Sequence, residues 1–283
     1  MSYFKRYLRN LKKGIRFFAA LWPSIPQSAS KVNFLILNLE NFLPFPAKVK
    51  TKLINITAYH LGNIVVKLYG CYFVAVDLES FSVLLSSHEP WIWRNLQLKR
   101  GDVFIDVGAH VGRYTLPIAK IVGKNGKVIS IEPDPNNFMA LRRGIELSGL
   151  DNVIPINAAL WSKETFMPLY RGGVSEHRSL VGWKSNEYIL VRATTLDKIL
   201  DILEIEKVDW VKIDVVGSEL EVLKGMRETL LKYKPKIIAE VWKENESLFI
   251  NSLKEQNYEV KIIYATNRVT YLYAMPTKTF RVR

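Results

Sequence analysis

From residue 101 onward, short apolar runs alternate with longer amphipathic stretches. Runs rich in branched side chains fall at 103–106, 128–132, 153–157, 208–213, 236–241, 259–264 and 269–274, and predict strands. Between them, helical spacing predicts helices at 112–122, 135–148, 195–203, 217–232 and 244–256. Strand and helix in alternation predict an α/β domain with a mostly parallel sheet covered on both faces. Only Ala265, Thr266, Asn267 and Arg268 separate the last two runs. That is too short for a parallel crossover, so those strands are expected to pair antiparallel as a C-terminal hairpin. Residues 163–187 lack a clear period and read as a loop insertion between the third and fourth core strands, carrying Gly172, Gly173, His177, Arg178 and Ser179.

The chain before residue 101 has a different pattern. Tyr3, Phe4, Tyr7, Leu8, Leu11, Ile15, Phe18 and Trp22 recur at helical spacing, with basic residues filling most of the gaps and Pro23 ending the run. Residues 23–60 hold four prolines around an apolar run, Phe34 to Leu39. Alternation over 61–87 suggests an antiparallel pair turning near Tyr69-Gly70-Cys71 and packed beside the main sheet, and 88–98 suggests a helix leading into the core. The expected division is a basic amphipathic extension at 1–60, a strand-helix lead-in at 61–100 and the α/β domain at 101–283.

Charge sharpens this division. The 283 residues carry a formal net charge of +13, yet residues 1–60 hold ten Lys and Arg against one acid, Glu40, and so account for +9 of it. The α/β part is close to balanced, which argues against a broad nucleic-acid-binding face on the core. The amphipathic stripe at 3–22 suits an anionic membrane surface, a face of its own domain, or a second subunit as in a homodimer, with nucleic acid the least favoured occupant. Charges interrupt every apolar run, so no secretory signal or membrane span is expected, and the location is read as cytoplasmic, at most peripheral at the inner face of the membrane. The lone Cys71 excludes an internal disulfide and a cysteine-cluster metal site, and His60, His88 and His110 lack metal-ligand spacing, so no obligatory metal is expected.

Candidate chemistry centres on V-F-I-D-V-G-A-H-V-G at 103–112. A buried strand ends in Asp106, and Gly108 and Gly112 form a tight turn into a helix whose amino end could offer N–H groups to an anion. The next strand ends in Glu132, twenty residues after Gly112, where an acid accepts hydrogen bonds from ribose hydroxyls. The pair points to a nucleoside-bearing cofactor. A dinucleotide turn needs glycine where Asp106 stands. Asp106 would repel a diphosphate and attract a sulfonium group, which favours S-adenosylmethionine over a nicotinamide cofactor.

D-V-G-A-H-V-G, I-E-P-D at 131–134, N-A-A-L at 157–160 and K-I-D-V-V-G-S-E-L-E-V-L-K-G-M at 212–226 resemble the FkbM-type S-adenosylmethionine-dependent methyltransferases, over roughly residues 85–243. The resemblance implies a class I methyltransferase (Rossmann-like) sheet. It also implies cofactor contacts at Asp106, Gly108, Ala109, His110, Gly112, Glu132 and Pro133, adenine near Asn157 and Ala158, and a pocket acid at Glu89. Three positions depart from the family pattern: His110 where Asn is usual, Val216 where Glu is usual, and Ser218 where Ala is usual.

Lys212 and Asp214 stand at i and i+2 and share one face of their strand, which the resemblance sets beside the transferred methyl group. A carboxylate there can take a proton from an alcohol while a lysine holds the developing oxyanion, so Asp214 is the expected base and Lys212 its assistant. His177 is an alternative base. Glu240 closes the next strand on the same crevice, and Trp242 could line an acceptor pocket beside Arg178 and Ser179. Glu219 opens a helix, where an acid suits the dipole whatever the function, and the resemblance adds it to the site. The expected reaction is O-methylation of a hydroxyl on a glycan, lipid-linked sugar or small natural product. The rivals are an RNA methyltransferase using the basic extension, though no Asp/Asn-Pro-Pro-Tyr/Phe motif is present, and a non-catalytic membrane-tethered module, motivated by Val216.

Overall fold

The structure, a computed structural model, describes residues 64–277 apart from 78–79, 81–82, 85–88, 172–177 and 181–186. The stripe at 3–22, the segment 23–60, His60, His88, Gly172, Gly173 and His177 lie outside the described residues.

Seven strands form the central sheet: β3 (Val103–Val107), β4 (Lys127–Ile131), β5 (Val153–Ile156), β10 (Trp210–Asp214), β11 (Lys236–Trp242), β12 (Tyr258–Ala265) and β13 (Val269–Pro276). Their order is β12-β13-β11-β10-β3-β4-β5. Neighbours from β11 to β5 run parallel, and β13 is antiparallel to both β11 and β12. This is a class I methyltransferase sheet, with the antiparallel hairpin at the C-terminal end as the short 265–268 connection predicts. All five residues of β3 are buried, as expected of a central strand with elements on both faces.

Helices α2 (Thr115–Val122), α3 (Pro135–Ser148), α4 (Leu196–Ile202), α5 (Glu219–Lys224), α6 (Arg227–Lys232) and α7 (Glu246–Glu255) follow the strands, and α1 (Pro90–Asn95) precedes them. Two depart from the predicted spans, each for a local reason. The helix expected from 112 starts at Thr115, because residues 110–114 form a turn in which His110 takes φ 51° and Gly112 takes φ 91°. Pro117 then falls at the third helical position, where its missing N–H costs nothing. The helix expected over 217–232 breaks in two. A side chain at Gly225 would meet the Trp161 carbonyl oxygen at 2.1 Å, and Asp197 caps the second piece by accepting from Glu228 N at 3.0 Å and Thr229 N at 2.8 Å.

The N-terminal hairpin pairs β1 (Ile64–Leu68) with β2 (Cys71–Ala75) through Tyr69 and Gly70, both at positive φ, the conformation that suits a two-residue hairpin turn. It makes its own two-stranded sheet against α3 and does not extend the main sheet; Tyr72 N donates to Ser148 Oγ at 2.8 Å.

The expectation of a loop over 163–187 needs correction. β7 (Thr165–Arg171) pairs antiparallel with β9 (Tyr188–Thr194), β8 (Arg178–Ser179) adds to β7, and β6 (Ala159–Leu160) joins β9 in parallel, forming a second sheet of four strands. The strands were hidden because both faces of β7 and β9 are apolar, so polar residues do not alternate as they do in a half-buried strand.

Candidate active site

At the carboxyl ends of the parallel strands lies a cavity of about 400 Å³, within the range of small-molecule sites, roughly 300–1,000 Å³. One end is built on the turn after β3. Gly108, at φ 77°, passes so close to β10 that a side chain there would sit 1.9 Å from the Asp214 carbonyl oxygen. Gly112 makes room for a side chain of α2 and not for the strand: a Cβ there would lie 2.4 Å from Leu116 Cδ1 and 2.8 Å from Leu141 Cδ1 of α3. The N–H groups of this turn are already engaged. Gly108 and Ala109 donate to the Ile131 carbonyl at 3.0 and 3.1 Å, Gly112 to Ala109 at 2.9 Å, and His110 to Glu132 Oε2 at 2.8 Å. The turn is therefore not the anion cradle that its glycines suggest, and a diphosphate would find no free donors among these four.

Glu132 lines the cavity with only 5% of its surface exposed. The loop that carries it is held by the cap of α3, where Asp134 accepts from Asn136 N at 2.9 Å and Asn137 N at 3.2 Å. Asp134 N also donates to Glu132 Oε1 at 3.0 Å. Burial pushes the Glu132 carboxyl up to about 7, and the N–H groups of Asp134 and His110 partly offset it. Pro133, Ala158, Ala159 and Leu160 complete this end. Asn157 does not line the cavity; its amide donates to the carbonyls of Glu132 at 2.8 Å and Pro133 at 3.1 Å and so braces the loop.

Asp106 stands beneath the floor, fully buried and not in the lining. Its Oδ2 accepts from Thr115 Oγ1 at 2.7 Å, and its Oδ1 faces Lys212 Nζ at 3.6 Å. The electrostatic reading of Asp106 as an open attractor for a sulfonium is thereby corrected: its charge is met by Lys212 inside the protein.

The other end gathers acids from distant elements. Sheet register sets Asp214 beside Glu240 and Glu240 beside Tyr271, and Glu89 joins them from ahead of α1. Oxygens of Glu89, Asp214 and Glu240 come within 4.8 Å of one another, the one group of three potential metal ligands among the described residues. Lys212 answers their charge, with Nζ 3.0 Å from Asp214 Oδ2 and 4.7 Å from the centre of the Tyr114 ring. Burial alone would depress the Lys212 ammonium, but Asp214 and Asp106 outweigh it and hold the group above its ordinary value, firmly cationic. Tyr114 OH donates to Glu89 Oε2 at 2.6 Å and Tyr271 OH to Glu89 Oε1 at 3.1 Å. Burial, and then the charge of Asp214, push the Glu240 carboxyl up to about 8.

Trp242, Val216, Arg113, Thr266 and Arg268 line the cavity further out. Ser179 is buried and donates to the Val216 carbonyl at 2.8 Å, which ties β8 to the loop after β10 without facing the cavity. Arg178 occupies β8 beside Arg171. Glu219 is also outside the lining: it accepts from Gly217 N at 3.0 Å and Asn245 Nδ2 at 2.7 Å, and so stiffens the 215–218 loop. Tyr114, Tyr271, Arg113 and Arg268 escaped the sequence reading. A base or an aromatic on a turn, or a tyrosine within the hairpin strand β13, carries no spacing signal, and only the fold brings these four to one cavity.

Several known proteins are similar to this chain. Hexuronic acid methyltransferase AglP of Haloferax volcanii is 28% identical over 137 residues, covering 47% of this chain and 54% of that protein. A probable cobalt-precorrin-6B C(15)-methyltransferase of Saccharolobus solfataricus is 28% identical over 145 residues, covering 47% of this chain and 72% of that protein. The chain thus spans about half the length of the first of these relatives. The crystal structure of methyltransferase FkbM from Methylobacillus flagellatus KT aligns with 94% of this chain and 60% of that one, at 16% identity and a TM-score of 0.47. The family model for the methyltransferase FkbM domain matches residues 106–260, more than half of the sequence, and the chain belongs to that family.

Proposed function

We propose that this protein is an S-adenosylmethionine-dependent O-methyltransferase acting on a hydroxyl of a glycan, lipid-linked sugar or small natural product. The observation that carries the reading is the pairing, in one cavity, of a backbone-held Glu132 at one end with Asp214 and Lys212, 3.0 Å apart, at the other. The residues fit the cofactor. Glu132 keeps acceptor capacity for ribose hydroxyls, Ala158, Ala159 and Leu160 offer an apolar wall to a base, and an acid-rich lining with an occupied glycine turn suits a cationic ligand over a diphosphate. When bound, the cofactor supplies an electrophilic methyl carbon on a positively charged sulfur.

The chain's own residues then divide the remaining work. Asp214 would take the proton of the acceptor O–H, and the oxygen would keep that electron pair for the methyl carbon, whose bond to sulfur would break with its electrons left on a neutral thioether. Lys212 stays cationic, so it serves as an electrostatic partner for the developing negative charge and not as the base. Glu89, fixed by Tyr114 and Tyr271, holds the acid cluster in place. Val216 removes one carboxylate from the rim, yet Glu89, Asp214 and Glu240 remain in the lining.

A sugar acceptor is supported by the AglP relative, whose name gives a hexuronic acid as its substrate. It is also supported by the outer wall, where Trp242 offers a flat apolar surface. Exposed Arg268, whose guanidinium makes no ion pair among the described residues, offers a partner for an anionic group. Residues 101–283 would form the catalytic domain, 61–100 its lead-in, and the basic stripe at 3–22 a peripheral contact with an anionic inner membrane surface. The test is incubation with methyl-labelled donor and a lysate divided into glycan, lipid, RNA and protein. Label is expected in glycan or lipid; label confined to RNA or protein overturns the acceptor assignment.

A further inference from the structure

The outer face of the β7–β9 pair is chemically unlike an ordinary solvent face. Register sets Phe166 opposite Arg192, Pro168 opposite Leu190 and Tyr170 opposite Tyr188, and alternation puts these six side chains on one side. Phe166 is 73% exposed, Leu190 68% and Tyr188 57%. The reverse side of the same strands carries Leu169 and Val191, both buried, and Leu169 is part of the cavity wall. A sheet with one face on the core normally turns polar residues to water; here both faces are apolar. Those three exposed side chains alone leave on the order of 300 Å² in water, the size of the largest apolar patch on a typical monomer, which is often functional.

We propose that this face docks the protein onto an anionic lipid bilayer, with Phe166, Tyr188 and Leu190 seated at headgroup level. The composition favours that occupant: aromatic rings with a polar tip, as in Tyr170 and Tyr188, are the side chains that settle at a membrane–water boundary, while Arg192 at the margin is met by Glu164 at 3.2 Å. Charge favours it too. A net charge of +13, with +9 of it in the first 60 residues, attracts an anionic surface and opposes the approach of a second identical chain. Position gives the contact a use, since the strands that touch the bilayer also wall the cavity, so an acceptor with a lipid anchor would be held beside Asp214. The inference does not depend on which atom is methylated.

The experiment uses the full chain with sedimented vesicles of phosphatidylglycerol and phosphatidylethanolamine, or of phosphatidylcholine alone. Wild-type protein is expected to partition to the anionic vesicles. The triple variant Phe166→Ser, Tyr188→Ser, Leu190→Ser is expected to partition at least tenfold less while binding methyl donor with unchanged affinity in calorimetry. A second variant keeps the face intact. The sole native cysteine, Cys71, is fully buried, so Leu190→Cys can be labelled with an environment-sensitive dye, whose emission should shift to the blue only with anionic vesicles. Four results overturn the proposal: wild type that ignores the vesicles, a triple variant that partitions as well as wild type, a wild-type dimer in light scattering that the triple variant dissolves, or a fall in the triple variant's Tm with vesicle binding retained, which would mean the chain covers its own face.

Discussion

The two ends of the cavity are built on opposite principles. At the Glu132 end the main chain does the holding: the carboxylate accepts from the N–H groups of His110 and Asp134, and the turn after β3 is closed by the Ile131 carbonyl. At the Asp214 end side chains hold side chains, with Lys212, Tyr114, Tyr271, Glu89 and Glu240 converging from five separate elements. Backbone scaffolding is local in sequence and tolerant of substitution nearby. A convergent side-chain cluster is neither, because Lys212, Asp214, Glu240 and Tyr271 depend on strand register and Glu89 and Tyr114 on the turns ahead of α1 and α2. The first end is suited to a cofactor that does not change, and the second to an acceptor that does.

The largest contrast should come from the chemical end. Asp214→Asn keeps the shape and can still accept a hydrogen bond from Lys212, but it cannot take up a proton. A loss of about 10²–10⁴-fold in kcat is expected, the usual contribution of a general base, with donor affinity in calorimetry within about threefold. Turnover within tenfold of wild type would remove the base assignment and leave Asp214 as a partner for Lys212 only.

Gly108 joins the two ends, so its substitution should damage both. Gly108→Ala drives a methyl group toward the Asp214 carbonyl oxygen, which lies 1.9 Å from the ideal Cβ position, at a φ of 77° that disfavours a side chain. A destabilisation of about 2–5 kcal/mol is expected from strain and overpacking together, read as a fall in Tm. Gly149→Ala is the control: it also has positive φ, at 61°, but nothing lies within 4 Å of its Cβ, so its loss should stay near about 1 kcal/mol. Equal losses would show that backbone conformation, and not the approach to β10, sets the requirement at 108.

Glu132→Gln tests the cofactor end alone. Burial raises this carboxyl to about 7, and ribose hydroxyls donate to its ionised form, so donor affinity should rise as pH increases through about 7, with a proton released on binding. The glutamine variant should bind about 10–100-fold more weakly at pH 8, lose that pH dependence, and keep its kcat at saturating donor. Calorimetry in buffers of different ionisation enthalpy reads the proton directly. A pH-independent affinity in wild type would mean that Glu132 does not face the ribose.

This difference in construction also explains what the sequence reveals. The strands of the main sheet were legible to within one or two residues, because each is a short apolar run closed by a residue with a distinct job, as in Asp106, Glu132 and Asp214. Glu132 was legible as a site because its distance from Gly112 is fixed by one strand-helix-strand unit. Glu89, Tyr114 and Tyr271 form a single hydrogen-bonded bridge, yet they lie up to 182 positions apart, and no local pattern announces such a meeting. The β7–β9 pair lacks a signal for the reverse reason: apart from Arg192 and the strand ends both faces are apolar, so the periodicity that marks a half-buried strand is absent. Asp106 was read at the right place but with its charge exposed, because sequence does not show that Lys212 stands in register beside it on β10.

The smallest effect separates two acids within one cluster. Glu240 is raised to about 8 by burial and by Asp214, so near neutral pH it carries a proton that Asp214 must not carry if Asp214 is the base. Glu240→Gln mimics that neutral form, and kcat at pH 7 should fall less than about tenfold, well short of the loss in Asp214→Asn. Stability gives the sign independently. A carboxyl whose folded value lies above its ordinary 4.5 contributes stability that is full below that ordinary value and is lost as pH rises through about 8. Wild-type Tm should therefore decline between pH 6 and 9 by more than that of the glutamine variant, and the two melting curves should converge on the acid side. If Glu240→Gln instead matched Asp214→Asn in lost turnover, the two carboxylates would have to act as one proton-sharing pair, and the division of labour drawn between them would fail.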